Sequence, residues 1–233
     1  MPLLNEALLA GRRGARVRVL ATRAFNTAMN GLEPVVVGAL AEAPPAQAAP
    51  LAGTAVVVFD RERQANGRER AFLRPAPDAL PALAKWLWRR VVRQLVVVLP
   101  HARSGLPQAL RAGLANLDEH AVAALGFEHV EFVRSAQTPV SVRSATWLQR
   151  LGDGLLAQMR LMVPTSQQPV RSRKVAQFVV ELVRQLPHSA PGTRVAPPEL
   201  LWHAAQGHDA APVVSARLDA RELPPVSAPR RRH

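Results

Sequence analysis

Several residue types are missing or rare in this chain of 233 residues. It has no cysteine and no tyrosine, and aromatic residues make up only 4% of it. Without cysteine, disulfide bonds and thiolate metal sites are excluded. No apolar run approaches the ~20 residues that a membrane-spanning helix needs. Polar Asn5 and Glu6 stand where a signal peptide would be apolar. These absences predict a cytoplasmic protein that does not enter a membrane.

Lysine is also rare, although the formal net charge is +13. Only Lys85 and Lys174 are lysines, and the many arginines are scattered, with one tight cluster at 230–232. A nucleic-acid-binding surface usually combines clustered basic residues with aromatic ones. The scattered arginines of this chain do not form that pattern, so a basic, nucleic-acid-associated protein is kept only as an alternative function. From the charge itself we expect only weak, salt-sensitive binding to polyanions.

Short apolar runs alternate with segments of helical periodicity along most of the chain. Three of the runs are rich in valine without polar alternation, which is typical of parallel strands buried on both faces. The predicted strands are 16–22, 34–37, 54–60, 94–100, 129–134 and 193–196. The predicted helices are 2–10, 78–92, 107–125, 145–161, 174–185 and 198–206. This order predicts a doubly wound α/β fold, a mostly parallel sheet with helices on both faces. From 207 to 233, Pro, Ala and Arg dominate and a disordered tail is expected.

The order of these segments resembles a known family. The stretches ARVRVLATR, LEPVVVGAL, LAGTAVVVFD, VRQLVVVLPHA and LDEHAVAALGFEHVEFVRSAQ are similar to atypical short-chain dehydrogenases. These are Rossmann-fold proteins that bind NAD(P). The resemblance covers residues 1–206 and implies a Rossmann-like, NAD(P)-binding domain over that range.

Two sequence motifs of that family can be compared with this chain. A Gly-rich turn before the first helix lets the backbone approach the cofactor's pyrophosphate, and no such turn precedes the helix predicted here. A Tyr-x-x-x-Lys pair supplies the proton donor, but the positions expected for it fall near Arg111 and Ala115. Arg stays protonated and Ala has no functional group. The resemblance thus implies a pseudoenzyme, a degenerate NAD(P)-binding protein with little or no dehydrogenase activity.

An active enzyme is the alternative within the same family. It would be an NADP-dependent oxidoreductase or isomerase whose Gly-rich loop lies upstream of Met1. His101 follows a predicted strand at the end where α/β proteins form ligand sites. It is therefore the candidate catalytic acid, and a plain loop histidine is the other interpretation.

Thr22 and Arg23 follow the first predicted strand, which the resemblance makes the second strand of a Rossmann unit. NAD-binding proteins usually place an acidic residue there, whereas an Arg accommodates the 2′-phosphate of NADP. Thr22 and Arg23 are therefore the candidate cofactor-binding residues, and NADP is the candidate cofactor, with its binding expected to be weakened or absent in the chain as written because the Gly-rich turn is missing. A solvent-facing Arg in an Arg-rich chain is the alternative.

No metal site is predicted. His203 and His208 are five residues apart, whereas helical metal pairs favour spacings of three or four. Asp118, Glu119 and His120 are adjacent, so they point in different directions around a helix, and a solvated face is expected.

A hydrolase and a base-stacking surface are also disfavoured. Ser104 is preceded by Ala102 and Arg103, so the G-x-S-x-G pattern of a nucleophile elbow is absent. The four tryptophans lie on separate predicted helices, which favours anchors in the core or in a homo-oligomer interface over a stacking platform. They are Trp86, Trp88, Trp147 and Trp202.

The resemblance also implies a truncation at the N-terminus. In the Rossmann strand order 3-2-1-4-5-6 the first strand is central, and no strand precedes the first helix in this sequence. Its absence would leave the strands at 16–22 and 54–60 with unpaired inner edges. We expect that the natural protein begins upstream of Met1; the alternative is that the two edges have closed onto each other.

Overall fold

The computed structural model describes residues 2–11, 16–25, 31–38, 50–59, 70–101, 117–136, 170–207 and 209–225. The strands in these ranges are β1 (Val17–Ala21), β2 (Leu32–Val36), β3 (Thr54–Val58), β4 (Gln94–His101), β5 (His129–Ala136) and β6 (Gly192–Ala196). The helices are α1 (Pro2–Gly11), α2 (Leu80–Arg89), α3 (Leu117–Ala123), α4 (Ser172–Gln185), α5 (Pro198–Gln206) and α6 (Ala211–Leu218). Residues 107–116 of the predicted helix 107–125 and the whole predicted helix 145–161 lie outside the described residues.

The strands form two sheets, and every strand pair in them is parallel. One sheet has the order β3-β4-β5-β6, and the other consists of β1 and β2. Valine-rich strands are suited to this arrangement because their β-branched side chains pack on both faces of a covered sheet. The predicted parallel α/β fold is confirmed.

Helices cover both faces of the four-stranded sheet. On one face, α2 and α3 pack against Leu95, Val97 and Phe132. On the other face, α4, α5 and α6 pack against Val96, Val98 and Val133. The two sets alternate along β4 and β5, as the two-residue period of a strand requires. The resulting architecture is Rossmann-like.

Helix α4 is amphipathic, and α1 packs against it. Phe178, Val179 and Leu182 are buried on its inner side, and Leu3 of α1 joins the same core cluster. The guanidinium of Arg173 lies 3.0 Å from the carboxylate of Glu6. Because α4 leads into the amino end of β6, its first turn lies at the end of the sheet where the strands finish, and α1 begins at that same end.

The C-terminal part of the chain contains a helix that the sequence did not predict. Helix α6 buries Val213 and Val214 in the core, and Arg217 donates a hydrogen bond of 2.9 Å to the carbonyl of Val195. Predicted disorder from residue 207 onward is therefore wrong for 211–218. The helix is too short for its periodicity to be visible among Ala and Pro, and tertiary packing stabilises it. Residues 226–233 lie outside the described ranges.

The inner edges of β1 and β3 have not closed onto each other. Within the described ranges, β1 pairs with β2 and β3 pairs with β4, and no strand pairing joins β1 to β3. The guanidinium of Arg18 donates to the carbonyls of Leu51 and Pro50, just before β3. Arg18 therefore links the amino-terminal half of β1 to the segment that precedes β3.

Among the described helices, none combines the length and the hydrophobicity that crossing a bilayer requires.

Candidate functional site

The candidate residues lie at the carboxyl edge of each sheet, which is the side where its strands end. Thr22 and Arg23 directly follow β1, and both are exposed. His101 is the last residue of β4 and pairs with Ala136 of β5. Open α/β sheets bind ligands at this edge. The structure therefore places all three predicted residues there, but Arg23 and His101 belong to different sheets.

Thr22 anchors a neighbouring segment of the chain. Its backbone N–H and its hydroxyl both donate to the carbonyl of Ala71, at 2.8 and 3.2 Å. The N–H of Leu73 donates to the carbonyl of Leu20 at 2.8 Å. Thr22 thus uses its donors to hold residues 71–73 beside β1, whereas the exposed Arg23 extends from the same edge.

An aromatic pair lies next to Arg23. The rings of Phe25 and Phe72 are 5.3 Å apart and are inclined at 54°, a tilted geometry that aromatic pairs favour. Both side chains are half-buried, so part of their apolar surface is accessible. This pair could not be predicted from the sequence, because Phe72 reaches β1 only through the tertiary bridge at Ala71 and Leu73.

Two helix starts add positive potential at the same edge. Neither α1 nor α4 has an acidic residue in its first turn, and a helix N-terminus is equivalent to about half a positive charge. Arg171 and Arg173 are exposed at the start of α4. Arg173 is paired with Glu6, so Arg171 and the first turn of α4 contribute the positive potential at this end of the four-stranded sheet, and Arg23 contributes it beside β1.

A buried ion pair lies under α3. The guanidinium of Arg134 is 3.0 Å from the carboxylate of Glu119, and both side chains are almost inaccessible. The prediction that 118–120 forms a solvated face is therefore wrong for Glu119, although His120 is exposed. The reason is that Arg134 projects from the sheet face that α3 covers, where a buried cation needs a counter-charge.

Two further polar side chains are buried on the opposite face of β5. Burial raises the pKa of Glu131 to about 7, and the positive charges of Arg217 and Arg194 oppose that rise. Burial also lowers the pKa of His129, against the raising effect of Glu128. The carboxylate oxygens of Glu131 and the ring nitrogens of His129 have no hydrogen-bond partner among the described residues. Because both groups lie in the amino-terminal half of β5, they are remote from the carboxyl edge.

The described residues contain no group of three or more potential metal ligands, and the Nε2 atom of His203 lies 2.6 Å from the carbonyl oxygen of Pro224. Trp86 is buried in the core, as predicted, whereas Trp88 is exposed. The predictions for Ser104, Arg111, Ala115, Trp147 and His208 concern residues outside the described ranges.

An open groove of about 600 Å³ lies between β6, α5 and α6, lined among others by Trp202, His203 and Arg217. Two of its polar side chains interact with backbone carbonyls: His203 with that of Pro224 and Arg217 with that of Val195. Because these interactions occupy hydrogen-bonding groups of His203 and Arg217, the two side chains have fewer groups left for a ligand than the exposed Arg23 at the carboxyl edge.

No protein-family model matches the chain, and no curated protein shows significant similarity to it. The fold alone defines the class, that of α/β proteins with a parallel, Rossmann-like sheet.

Proposed function

We propose that this chain is a Rossmann-like protein of the short-chain dehydrogenase type that binds NADP(H) and has little or no dehydrogenase activity. The observation that carries the proposal is the exposed Arg23 directly after β1. In Rossmann proteins an Arg at this position accommodates the 2′-phosphate of NADP.

The residues around Arg23 fit the adenosine end of the cofactor. Arg23 would hold the phosphate by a charge-assisted hydrogen bond. The accessible surface of Phe25 and Phe72 would contact the adenine ring. The first turn of α4 has no acidic residue, so it is a position of positive potential that a pyrophosphate would favour.

The proton donor that this family uses in catalysis is missing from the sequence. Bound NADPH would supply a hydride, but its transfer to a carbonyl also needs a positioned proton donor. The family uses a tyrosine, and this sequence contains none. We therefore propose a cofactor-sensing or scaffold role. An active oxidoreductase using His101 is the alternative.

Binding is tested by titrating the protein with NADPH and following the nucleotide's fluorescence at low and at high salt. Arg23→Ala should weaken binding by about tenfold or more, since hydrogen bonds to charged groups contribute ~1.5–3 kcal/mol. The matched control is Arg93→Ala, because Arg93 is also exposed but precedes β4 at the amino edge. This variant should bind NADPH like the wild type.

Three outcomes would contradict the binding proposal. They are an absence of NADPH binding, an equal loss in both variants, and binding that disappears at high salt while DNA or RNA is still bound at low salt. The last result would favour the nucleic-acid alternative.

Activity is tested separately with NADPH and a panel of aldehydes and ketones. We expect no oxidation of NADPH above the rate without protein. Turnover that disappears in His101→Ala would instead establish the active-enzyme alternative.

A further inference from the structure

Helix α2 ends in a turn where valine occupies a position that usually belongs to glycine. The N–H of Val92 donates to the carbonyl of Leu87 at 3.3 Å. The N–H of Val91 donates to the carbonyl of Trp88 at 3.0 Å. These two bonds form a Schellman motif, in which the residue after the C-cap adopts the left-handed conformation and is most often glycine. That residue is Val91, with φ of +60°, a conformation in which a β-branched side chain is strained.

Packing inside the protein does not account for this valine, which is 52% exposed. The turn that follows α3 also needs a left-handed residue and has Gly126 there, with φ of +83°. Glycine in place of Val91 would relieve the strain without opening a cavity in the core. Strained residues are concentrated at functional surfaces, so we expect the Val91 side chain to contact something other than its own core.

A tryptophan is exposed beside the same turn. Trp88 is 48% exposed, although tryptophan is highly buried on average. The nearby Trp86 is buried, and the guanidinium of Arg90 lies over its ring, 5.7 Å from the centroid. Because the backbone bond of the turn joins Val91 to Trp88, their exposed side chains form one small apolar surface.

Exposed cations surround this apolar surface. Lys85, Trp88 and Arg89 follow one another at spacings that place them on the outer face of α2, and Arg93 is exposed just after the turn. Helix α2 contains no acidic residue. Within the described ranges, no ion pair involves Lys85, Arg89 or Arg93. We call these exposed residues the α2-end patch: Lys85, Trp88, Arg89, Val91 and Arg93.

Glu128 borders the α2-end patch. Its N–H donates to the carbonyl of Arg93 at 2.9 Å, but its carboxylate lies 3.9 Å from the ring nitrogen Nε2 of His129. Three cations against one neighbouring carboxylate leave the patch with a net positive charge.

We propose that the α2-end patch binds the surface of a membrane that contains anionic lipids. Trp88 and Val91 enter the headgroup region, and the cations lie against the negative headgroups. Tryptophan favours this interface, and each Lys or Arg near an anionic leaflet adds attraction. Apolar burial and charge together give reversible adsorption. The inference is independent of the proposed dinucleotide site, since it uses none of the residues of that site.

Two other partners fit the patch less well. In a symmetric contact, a second copy of the chain would bring the same cations face to face. Single-stranded nucleic acid would use Trp88 for stacking and the cations for phosphates, but it gives the strained Val91 no role. The boundary between headgroups and acyl chains favours an aliphatic side chain.

Sedimentation of the full chain with lipid vesicles tests the proposal. One set of vesicles is phosphatidylcholine alone, and the other contains about 30% phosphatidylserine. Binding should be about tenfold or more tighter to the anionic vesicles. Trp88→Ala should weaken that binding by about tenfold, and Arg89→Gln by about fivefold.

Val91→Gly separates the lipid contact from the stability of the fold. Glycine relieves the strain of the turn, so this variant should unfold at a temperature about 2 °C or more above that of the wild type. The substitution also removes the aliphatic side chain, so binding to anionic vesicles should weaken by about threefold or more. Misfolding cannot explain weaker binding by a more stable variant.

Leu9→Ala and Arg16→Gln are the matched controls. Leu9 is an exposed apolar residue of α1, and Arg16 is an exposed cation that precedes β1. Both variants should bind anionic vesicles like the wild type.

Several results would overturn the proposal. They are equal binding or no binding to the two kinds of vesicle, binding that Val91→Gly leaves unchanged, and equal losses in Arg16→Gln and Arg89→Gln. If the wild type does not bind vesicles and Trp88→Ala abolishes its binding to a single-stranded oligothymidylate, the patch binds nucleic acid instead. A dimer that Trp88→Ala dissociates, again without vesicle binding, would assign the patch to a second copy.

Discussion

Replacing Glu131 by Gln should stabilise the protein at alkaline pH and leave it almost unchanged at acidic pH. Glu131 lies on the face of β5 that α4, α5 and α6 cover, and its side chain is fully buried. Neither carboxylate oxygen has a hydrogen-bond partner among the described residues. Gln is similar in size and carries no charge, so the substitution removes the titration while preserving the packing.

The size of the effect follows from the pKa. Burial raises the pKa of Glu131 from its ordinary 4.5 to about 7, so the folded state holds the proton more tightly than the unfolded state. The contribution to the free energy of unfolding is complete below pH 4.5 and is lost as the pH rises through 7. A shift of this size corresponds to about 3 kcal/mol at pH 8, since one pKa unit is ~1.4 kcal/mol.

The assay is urea unfolding of wild type and Glu131→Gln at pH 5 and pH 8, followed by tryptophan fluorescence, to which the buried Trp86 contributes. The gain in stability should be small at pH 5 and reach about 3 kcal/mol at pH 8. The lowered pKa of His129 makes the free energy of unfolding rise with pH up to about 6.5. Because both proteins contain His129, the difference between their free energies of unfolding reports on Glu131. An equal difference at both pH values, or a less stable variant at pH 8, would refute the reasoning.

Two further substitutions test the packing. Arg134→Met should destabilise the fold by about 3–5 kcal/mol, because it removes one side of the buried Arg134–Glu119 ion pair. Adding Glu119→Leu should recover part of the loss, and urea unfolding of both variants measures this. Gly126→Ala should cost about 1 kcal/mol because Gly126 has φ of +83°, whereas Gly53→Ala, at a position with open space and no such φ, should have a smaller effect on the thermal midpoint.

Most of the sheet could be predicted from the sequence, because each strand is a short apolar run with its own boundaries. The predicted strands 54–60, 94–100 and 129–134 agree with β3, β4 and β5 within two residues at each end. The helix predicted at 174–185 lies within α4, and 198–206 matches α5. These elements can be predicted locally, because the spacing of apolar residues along a segment indicates whether one helix face or both strand faces are buried.

The features that were missed depend on contacts between distant parts of the chain. Glu119 was predicted to be solvated because its partner Arg134 is 15 residues away in the sequence. The burial of α6 depends on its packing against β6 and α4, which the sequence of α6 alone does not indicate. The pairing of Phe25 with Phe72 likewise requires residues 71–73 to lie beside β1. The positions of Arg23 and His101 at strand ends could be predicted, because they follow from strand boundaries alone.

The central claim is that Arg23 recognises the 2′-phosphate of NADP(H), and the most direct test compares the dissociation constants of NADPH and NADH. The wild type should bind NADPH about tenfold or more tightly than NADH, because hydrogen bonds to charged groups contribute ~1.5–3 kcal/mol. In Arg23→Ala this preference should fall to about one while the affinity for NADH stays the same. A wild type that binds both nucleotides equally, or a preference for NADPH that persists in Arg23→Ala, would contradict the account.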